Sequence, residues 1–584
     1  MTARSRAWRA ALVLAVVLVV AFGVVAPPER CPSVSAADLE RSAQSAVDWF
    51  ARNQRPDGTW LYLYNARSDT APDEYDDVRH AGAAMGLYQA AAAGLPRALA
   101  SADRGTRWAL ARLTKRDGWA AVTTPGEIAT GATALLAAGL DIRREATRDT
   151  RYDGLLRRFG RFLVTQIEPS GAVLAYYDPV RAAPVPAQYS RYYTGEAYWT
   201  LARLHRTFPG ERWGEAADRI GAYLATARDE AEDHWPPITD QWAAYGLAET
   251  VTFPERGHPP LTVSEVDYAR RQAELWGGQA RWVQQRFGPW GALVRGTAVF
   301  RGGWYGVMDE GFTGLWRTAR ADPRLADLQD PIAERARCIA GVAVREQADA
   351  ADAALSRRPA RVQGAWFFHG GETRMDDQQH ALAALLRTVP ILEATSVRAS
   401  DDDAPSVWLW AAALLLALNP PRAAFGIPRA SREVARLAAL GGAIGALAVC
   451  AAAAVGGVLL DALDVSAPAF RTAAGFVALL TGAADLVGRP PRPEPALAGR
   501  RAALVPVAIP VVARPALLVI ALAEHNVVVC AAAMAIGVAL MTALVVRSRP
   551  QGVGGRVLQW AGRLLAAGLV TSGVLLAIDG ILAV

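Results

Sequence analysis

The last third of this chain most constrains what it can fold into. From residue 405 to 584 it is built mostly of Ala, Val, Leu and Gly, whereas residues 35–400 carry most of the charge, Trp and Tyr. Asp401, Asp402 and Asp403, followed by Pro405, mark the change. Six apolar stretches follow, at about 406–427, 433–460, 467–487, 502–522, 526–546 and 557–584. Each has the roughly 20 residues a helix needs to cross a bilayer. Backbone in lipid must satisfy its own hydrogen bonds, so the stretches predict six membrane helices. Alternate loops carry Arg429, Arg432 and Arg436, then Arg489, Arg492, Arg500 and Arg501, then Arg547, Arg549 and Arg556. The intervening loops hold Asp461, Asp464, Glu524 and His525 and no Arg. Positive loops remain cytoplasmic. Arg4, Arg6 and Arg9 ahead of the apolar run Ala10–Ala26 make residues 1–30 a membrane anchor or signal segment, and Pro27-Pro28 favours an uncleaved anchor. Residues 35–400 are therefore expected outside the cytoplasm and 405–584 in the cytoplasmic membrane.

Two of the six stretches are interrupted, by Asn419-Pro420-Pro421 in the first and by Pro506, Pro510 and Pro515 in the fourth. Proline breaks the helical ladder, and lipid cannot repair it, so such breaks line cavities or pack on protein. They open corresponding halves. Arg471, Ala473-Ala474-Gly475 and Asp485 in the third stretch are echoed by Arg563, Ala566-Ala567-Gly568 and Asp579 in the sixth. Three spans per repeat forces the halves into opposite directions, a 3+3 inverted repeat with a solute pathway at the breaks. The expected pathway residues are Asn419, Pro420, Arg471, Asp485, Pro506, Pro510, Arg514, Arg563 and Asp579.

Asn419-Pro420, Phe470-Arg471-x-x-x-Gly475 with Asp485, Pro506-x-Ala508-Ile509-Pro510 and the closing Gly562-Arg563 to Asp579-Gly580-Ile581 recur in order. Over about 407–584 the chain resembles the MarC family of bacterial membrane proteins. The resemblance implies a six-helix protein related to exporters of amino acids and other small solutes. Ala513-Arg514-Pro515 departs from the small Gly-Pro pattern usual there, and an arginine within a span is costly and functional or snorkelling.

Residues 35–400 alternate Ala/Leu-rich helical stretches with loops rich in Gly, Pro and aromatics. Gln54 to Gly58 and Trp60, Lys115 to Gly118-Trp119, and Gln166 to Gly171 recur about 50–60 residues apart. That period fits helix pairs closing into an α/α toroid, so the whole chain is expected to be all-α. Gln-x-x-x-Gly-x-Trp also resembles a repeat of triterpene cyclases, but their Asp-x-Asp-Asp acid is missing. The basic residues, nearly all Arg, are interleaved with acids rather than gathered on a stripe, so no nucleic-acid partner is expected. Cys450 and Cys530 read as apolar fillers, while Cys31 and Cys338 fall where a disulfide is allowed.

Asp76-Asp77-x-Arg79-His80-Ala and Asp376-Asp377-x-x-His380-Ala open the first and last Ala-rich helices. In a closed ring these are neighbours, so Asp76, Asp77, His80, Asp376, Asp377 and His380 are candidate catalytic groups, crowded carboxylates having separated pKa values. They also suit a divalent cation, and no other cofactor or metal is expected. Acids in a first turn equally serve as caps. Around them, Arg79, Tyr189, Tyr192, Tyr193, Glu196, Asp240, Trp242, Trp304, Asp309, Glu310 and Arg374 suit a sugar, which stacks on aromatic faces and hydrogen-bonds to charged edges. The segments look like helical-toroid carbohydrate proteins, epimerases and lyases among them. No P-loop, zinc-protease helix, Gly-x-Ser-x-Gly elbow or Cys-x-x-Cys pair is present. The leading expectation is a small-solute transporter bundle, bound by membrane lipid, fused to a saccharide- or envelope-binding toroid. A membrane-tethered glycan-active enzyme and a non-catalytic scaffold are the alternatives.

Overall fold

The computed structural model describes residues 29, 31–116, 118–124, 126–368, 371–395, 407–427, 433–463, 465–488, 501, 503–547 and 552–582. The N-terminal apolar segment, Asp401–Asp403, Asp464 and the loop residues Arg429, Arg432, Arg489, Arg492, Arg500 and Arg549 lie outside them. Two compact units form, one from residues 31–280 and 298–401, the other mainly from 402–583 with 281–297.

The first unit is an α/α toroid. Its outer helices are α1 (Ala36–Arg52), α3 (Ala98–Leu110), α5 (Asp153–Thr165), α7 (Trp213–Thr226), α9 (Val263–Gln284) and α11 (Gln329–Glu346). Its inner helices are α2 (Asp77–Ala92), α4 (Thr130–Thr147), α6 (Tyr193–Thr207), α8 (Gln241–Thr250), α10 (Val307–Ala321) and α12 (Met375–Thr395). Each inner helix packs on the next, and α12 returns to α2. Like positions meet like: Met85 with Gly139, Tyr198 with Gly246, Ala244 with Gly314, His380 with Gly306 and Gln379 with Gly86, while Thr200 donates to the Ala134 carbonyl. The inner helices are therefore parallel, with all six N-termini at one mouth. Small residues permit it: α2 and α4 are buried nearly all round and rich in Ala and Gly, as a helix enclosed on every side must be apolar and slim.

The recurrent glycine turns follow outer helices. Gly58 and Gly171 take φ of +100° and +97°, and a Cβ there would stand 2.5 Å from the Arg104 carbonyl of α3 and 2.4 Å from the Arg219 carbonyl of α7. Gly364, after α11, meets Ser45 of α1 in the same way at 2.5 Å. Each turn thus locks its helix pair onto the next, and the last locks onto the first. Strands β1 (Leu63–Asn65) and β7 (Glu372–Arg374), the first and last of seven short strands in the described residues, pair antiparallel to seal that seam. Cys31 and Cys338 form a disulfide that ties the start of the toroid to α11.

The second unit holds α13 (Val407–Leu418), α14 (Pro420–Phe425), α15 (Val434–Ala462), α16 (Ala467–Val487), a π-helical segment (Leu504–Val512), α17 (Pro515–Glu524), α18 (Val527–Arg547) and α19 (Gly552–Leu582). Among the described residues four helices, α15, α16, α18 and α19, are long and apolar enough to cross a membrane. The first and fourth stretches are the interrupted ones, as their prolines predict. Asn419, at φ +49°, separates α13 from α14 and caps α14 by accepting from the Arg422 N–H. The π-helical segment contains Pro506 and Pro510, leaves helical geometry at Val505 and Ile509, and ends ahead of Arg514-Pro515.

The two halves are interchangeable in their packing. α16 lies on α19, α15 on α18, and α13 on α17; α15 packs on the π-helical segment and α17 as α18 does on α13 and α14; α16 meets α17 as α19 meets α13. α16 and α19 run antiparallel, Gly475 against Ala577, Gly482 against Ala566 and Thr472 against Gly580. Without Cβ atoms at these glycines the backbones approach closely, which drives helix association in lipid.

Candidate functional site

The mouth formed by the six inner N-termini collects nearly all the polar residues singled out above. On its seam, Arg79 Nε donates to Asp376 at 3.0 Å, and the same guanidinium reaches Asp76 at 3.2 Å and the Tyr62 hydroxyl at 2.9 Å. Asp76 also caps α2, accepting from the Arg79 N–H at 2.7 Å. Arg374 Nε stands 2.7 Å from Asp376 and 3.0 Å from Asp377. Asp377 accepts from the Gly303 N–H at 2.7 Å, and a Cβ on Gly302 would come within 1.7 Å of the Asp377 carbonyl, so only glycine fits that approach. The two Asp-Asp segments do face each other, joined by Arg79, while Arg374 holds the Asp376-Asp377 pair. Asp77 stands beside them half-buried, its carboxyl pushed up by burial and by Asp76. No group of three or more potential metal ligands forms among the described residues, and guanidiniums pair with Asp76, Asp376 and Asp377, three of the four carboxylates that suited a cation.

The two histidines have different fates. His80 is fully buried, its ring nitrogens 2.7 Å from the Tyr75 hydroxyl and 2.9 Å from the Gly105 carbonyl, and it packs against Trp60 and Trp108. Burial pushes its pKa down to about 4. It is placed inside the wall, away from the mouth's polar groups. His380 instead pairs Nδ1 with Glu310 Oε2 at 2.5 Å, while Glu310 Oε1 accepts from the Tyr245 hydroxyl at 3.0 Å. Nε2 has no protein hydrogen bond among the described residues. Burial opposes a charged imidazole here, yet Glu310, helped by Asp376 and Asp377, raises the His380 pKa above its usual value. Trp242 lies 5.9 Å from the imidazole and stacks on Trp199.

Two more carboxyls sit in the wall without a cation. Glu196 is 4 % exposed, and its Oε2 has no hydrogen-bond partner. Burial, then Asp240 and Asp76, raise its pKa well above the ordinary range. Asp309 accepts from Thr388 through Oδ2 while Oδ1 is unpartnered, and burial raises it likewise. Asp240, by contrast, caps α8 and accepts from Arg228 at 2.7 Å. The aromatic rim consists of Trp304, stacked on Tyr305 and 41 % exposed, with Tyr192 and Tyr189 also exposed, the latter bonded to Glu168. Tyr193 packs on Tyr176 and against Gly131. Sequence reasoning missed Tyr245 and Arg387, whose guanidinium lies 3.7 Å over the Tyr245 ring. Their positions deep in α8 and α12 gave no polar signature.

In the membrane unit, Arg514 forks onto Asp485 at 2.8 and 2.9 Å and donates to the Ala417 carbonyl at the end of α13. Arg422, not singled out in the sequence, stands 2.9 Å from the same carboxylate and donates to the Asp485 and Gly488 carbonyls. Both arginines thus satisfy carbonyls that helix ends would leave bare in lipid. Asn419 donates to the Gly562 carbonyl at 2.9 Å, and Arg471 pairs with Asp579 at 3.3 Å. Arg563 stands over Trp560, apart from Asp485.

No family model matches the chain, the MarC model included, and no curated protein matches it. Among solved structures it is similar to cellobiose 2-epimerase from Spirochaeta thermophila, with 13 % identity, TM-score 0.41, and coverage of 66 % of this chain and 98 % of that one. A family 76 α-mannanase of Bacteroides thetaiotaomicron gives 9 %, 0.41, 61 % and 97 %. A D-mannose isomerase gives 10 %, 0.37, 60 % and 97 %. At these scores the toroid rests on its own helix contacts. The chain is an α/α toroid joined to a helical unit fit to span a membrane.

Proposed function

We propose that the toroid is a membrane-tethered glycan-active enzyme, with His380 as its general acid–base and the mouth as its saccharide cleft. The observation that carries this is the Tyr245–Glu310–His380 relay. A buried carboxylate bonded to Nδ1 fixes the imidazole's tautomer and orientation, leaving Nε2 to exchange a proton with a bound substrate. Glu310 acts through His380 and is a positioning residue. Trp304 and Tyr192 supply ring faces, and Arg79 and Arg374 supply donors to hydroxyl or carboxylate edges. Of the rim aspartates, Asp77 alone lacks an arginine partner and is the remaining proton-transfer candidate. The purified full chain is expected to turn over a saccharide or uronic-acid substrate from a panel, with Asp76→Asn and Asp376→Asn impairing it through the seam. His380→Gln that folds and keeps full turnover ends the proposal.

The Cys31–Cys338 bridge supports placing the toroid outside the cytoplasm, where disulfides persist. Maleimide labelling of both cysteines only after reduction checks it. For the membrane unit, interchangeable halves with breaks at matching places support a small-solute pathway. Pro420→Ala and Pro510→Ala should then abolish flux without altering turnover by the toroid.

A further inference from the structure

We propose that residues 281–297 form an interfacial element that lies on the outer surface of the membrane and seats its apolar side chains among anionic lipid headgroups. The segment comprises the last turn of α9 and the loop after it, and it packs with the membrane unit rather than with the toroid. It is tightly folded. Arg286 donates to the Gly296 and Thr297 carbonyls at 3.1 and 2.8 Å, and a Cβ on Gly291 would come within 1.6 Å of the Gln285 carbonyl. A short helix, Pro289–Arg295, lies within the loop.

Depth is the first argument. Arg281 is buried and donates to the Gly580 and Ile581 carbonyls at 2.8 and 2.7 Å. These are among the last carbonyls of α19, which a helix leaves without partners of its own. Beyond Arg563, α19 is apolar except for Thr571, Ser572 and Asp579. That stretch is about as long as the hydrocarbon layer is thick, roughly 30 Å, so its end stands at headgroup level. Arg547 and Arg556 mark the loop before α19 as cytoplasmic, which makes this end the outer one.

The surface held at that depth is the second argument. Trp282, Leu293 and Val294 are 51 %, 75 % and 38 % exposed. Trp282 follows Arg281, and Ile581, whose carbonyl Arg281 holds, is itself half-exposed, so the apolar surface of the segment adjoins the lipid-facing surface of α19. Contiguous apolar surface of this kind marks a contact site. Charge then names the lipid. No Asp or Glu occurs between Glu274 and Asp309, a stretch that carries Arg281, Arg286, Arg295 and Arg301, whereas the rest of the toroid interleaves arginines with acids. Tryptophan and arginine without acids suit the headgroup level of an anionic leaflet.

The test uses the full chain in lipid nanodiscs of phosphatidylcholine, with and without phosphatidylglycerol. An environment-sensitive fluorophore is attached at Leu293→Cys in a Cys450→Ala, Cys530→Ala background, Cys31 and Cys338 being bonded to each other. Ile536→Cys, exposed and midway along α18, is the deep reference. Quenchers are aqueous iodide, a lipid spin-labelled near its headgroup and a lipid spin-labelled near the end of its chain. The probe at Leu293 is expected to be quenched at least twice as strongly by the shallow label as by the deep one, with iodide access well below that of free dye. Ile536 should show the reverse order of spin labels, and Val294→Cys should repeat the Leu293 pattern. Phosphatidylglycerol should strengthen the shallow quenching. A Leu293 probe open to iodide, quenched in the order of Ile536, or shielded from all three quenchers by another protein segment or a second copy overturns the proposal. Equal shallow quenching without phosphatidylglycerol overturns its anionic half.

Discussion

The two ends of the toroid's inner helices handle buried charge in opposite ways. Towards the C-terminal end, Arg203 joins Asp141, Glu145 and Glu249, and Arg206 and Arg317 also reach Glu249. Burial alone would raise the Glu249 pKa, but the three arginines hold it below the ordinary value. At the N-terminal mouth, Glu196 and Asp309 are as deeply buried and have no arginine, so their carboxyls are raised. Partial charges at helix ends favour this division, cations near C-termini and acids in first turns. What differs is completeness. One end is a satisfied ion cluster, which is what structure requires; the other keeps unpartnered carboxyl oxygens and an imidazole nitrogen, which structure alone does not reward.

Breaking the satisfied end should have the largest effect on stability. Arg203→Ala strands the buried Asp141 and is expected to cost about 3–5 kcal/mol, visible as a lowered melting temperature with turnover per folded molecule retained. The mouth should respond inversely. His380→Gln is expected to lower turnover by about 10²–10⁴-fold while the melt hardly moves. Glu310→Gln sharpens the point: without the carboxylate that raises His380, the acid limb of the pH–rate profile should move to lower pH. Trp304→Ala, which removes an exposed ring face, should raise KM roughly tenfold with kcat little changed, about 1.4 kcal/mol of uniform binding. The smallest effect is on pH dependence of stability. An acid whose folded pKa is raised contributes most below its unfolded value near 4.5, and that contribution fades as pH rises towards the folded pKa. Melting temperature should therefore fall as pH rises from about 4.5 through that window, and Glu196→Gln should flatten the slope.

Much of this was legible in the sequence. The apolar stretches, the breaks at Asn419 and in the 504–515 stretch, and the meeting of Asp76 with Asp376 at a seam all follow from periodicity, proline and the repeat of glycine turns. The roles of individual side chains were not. His80 and His380 occupy the same position in matching motifs, and what separates them is who packs on them: Trp60, Trp108 and Tyr75 around one, Glu310 from a helix seventy residues earlier against the other. Local spacing cannot encode that. Asp376 looked like a free acid because Arg79, which pairs with it, is brought in by ring closure. Arg422 stood in plain view after Pro420-Pro421, yet its hold on Asp485 depends on a tertiary approach between spans.

The bond between Cys31 and Cys338 spans 307 residues and encloses α1 to α10 with the first part of α11. A single protease cut anywhere within that loop, for instance beside the protruding Trp235, 91 % exposed, would leave one covalent molecule. Such a nicked toroid would run as a single band without reductant and as two with it. A toroid cut within this loop thus loses a peptide bond and keeps its ring.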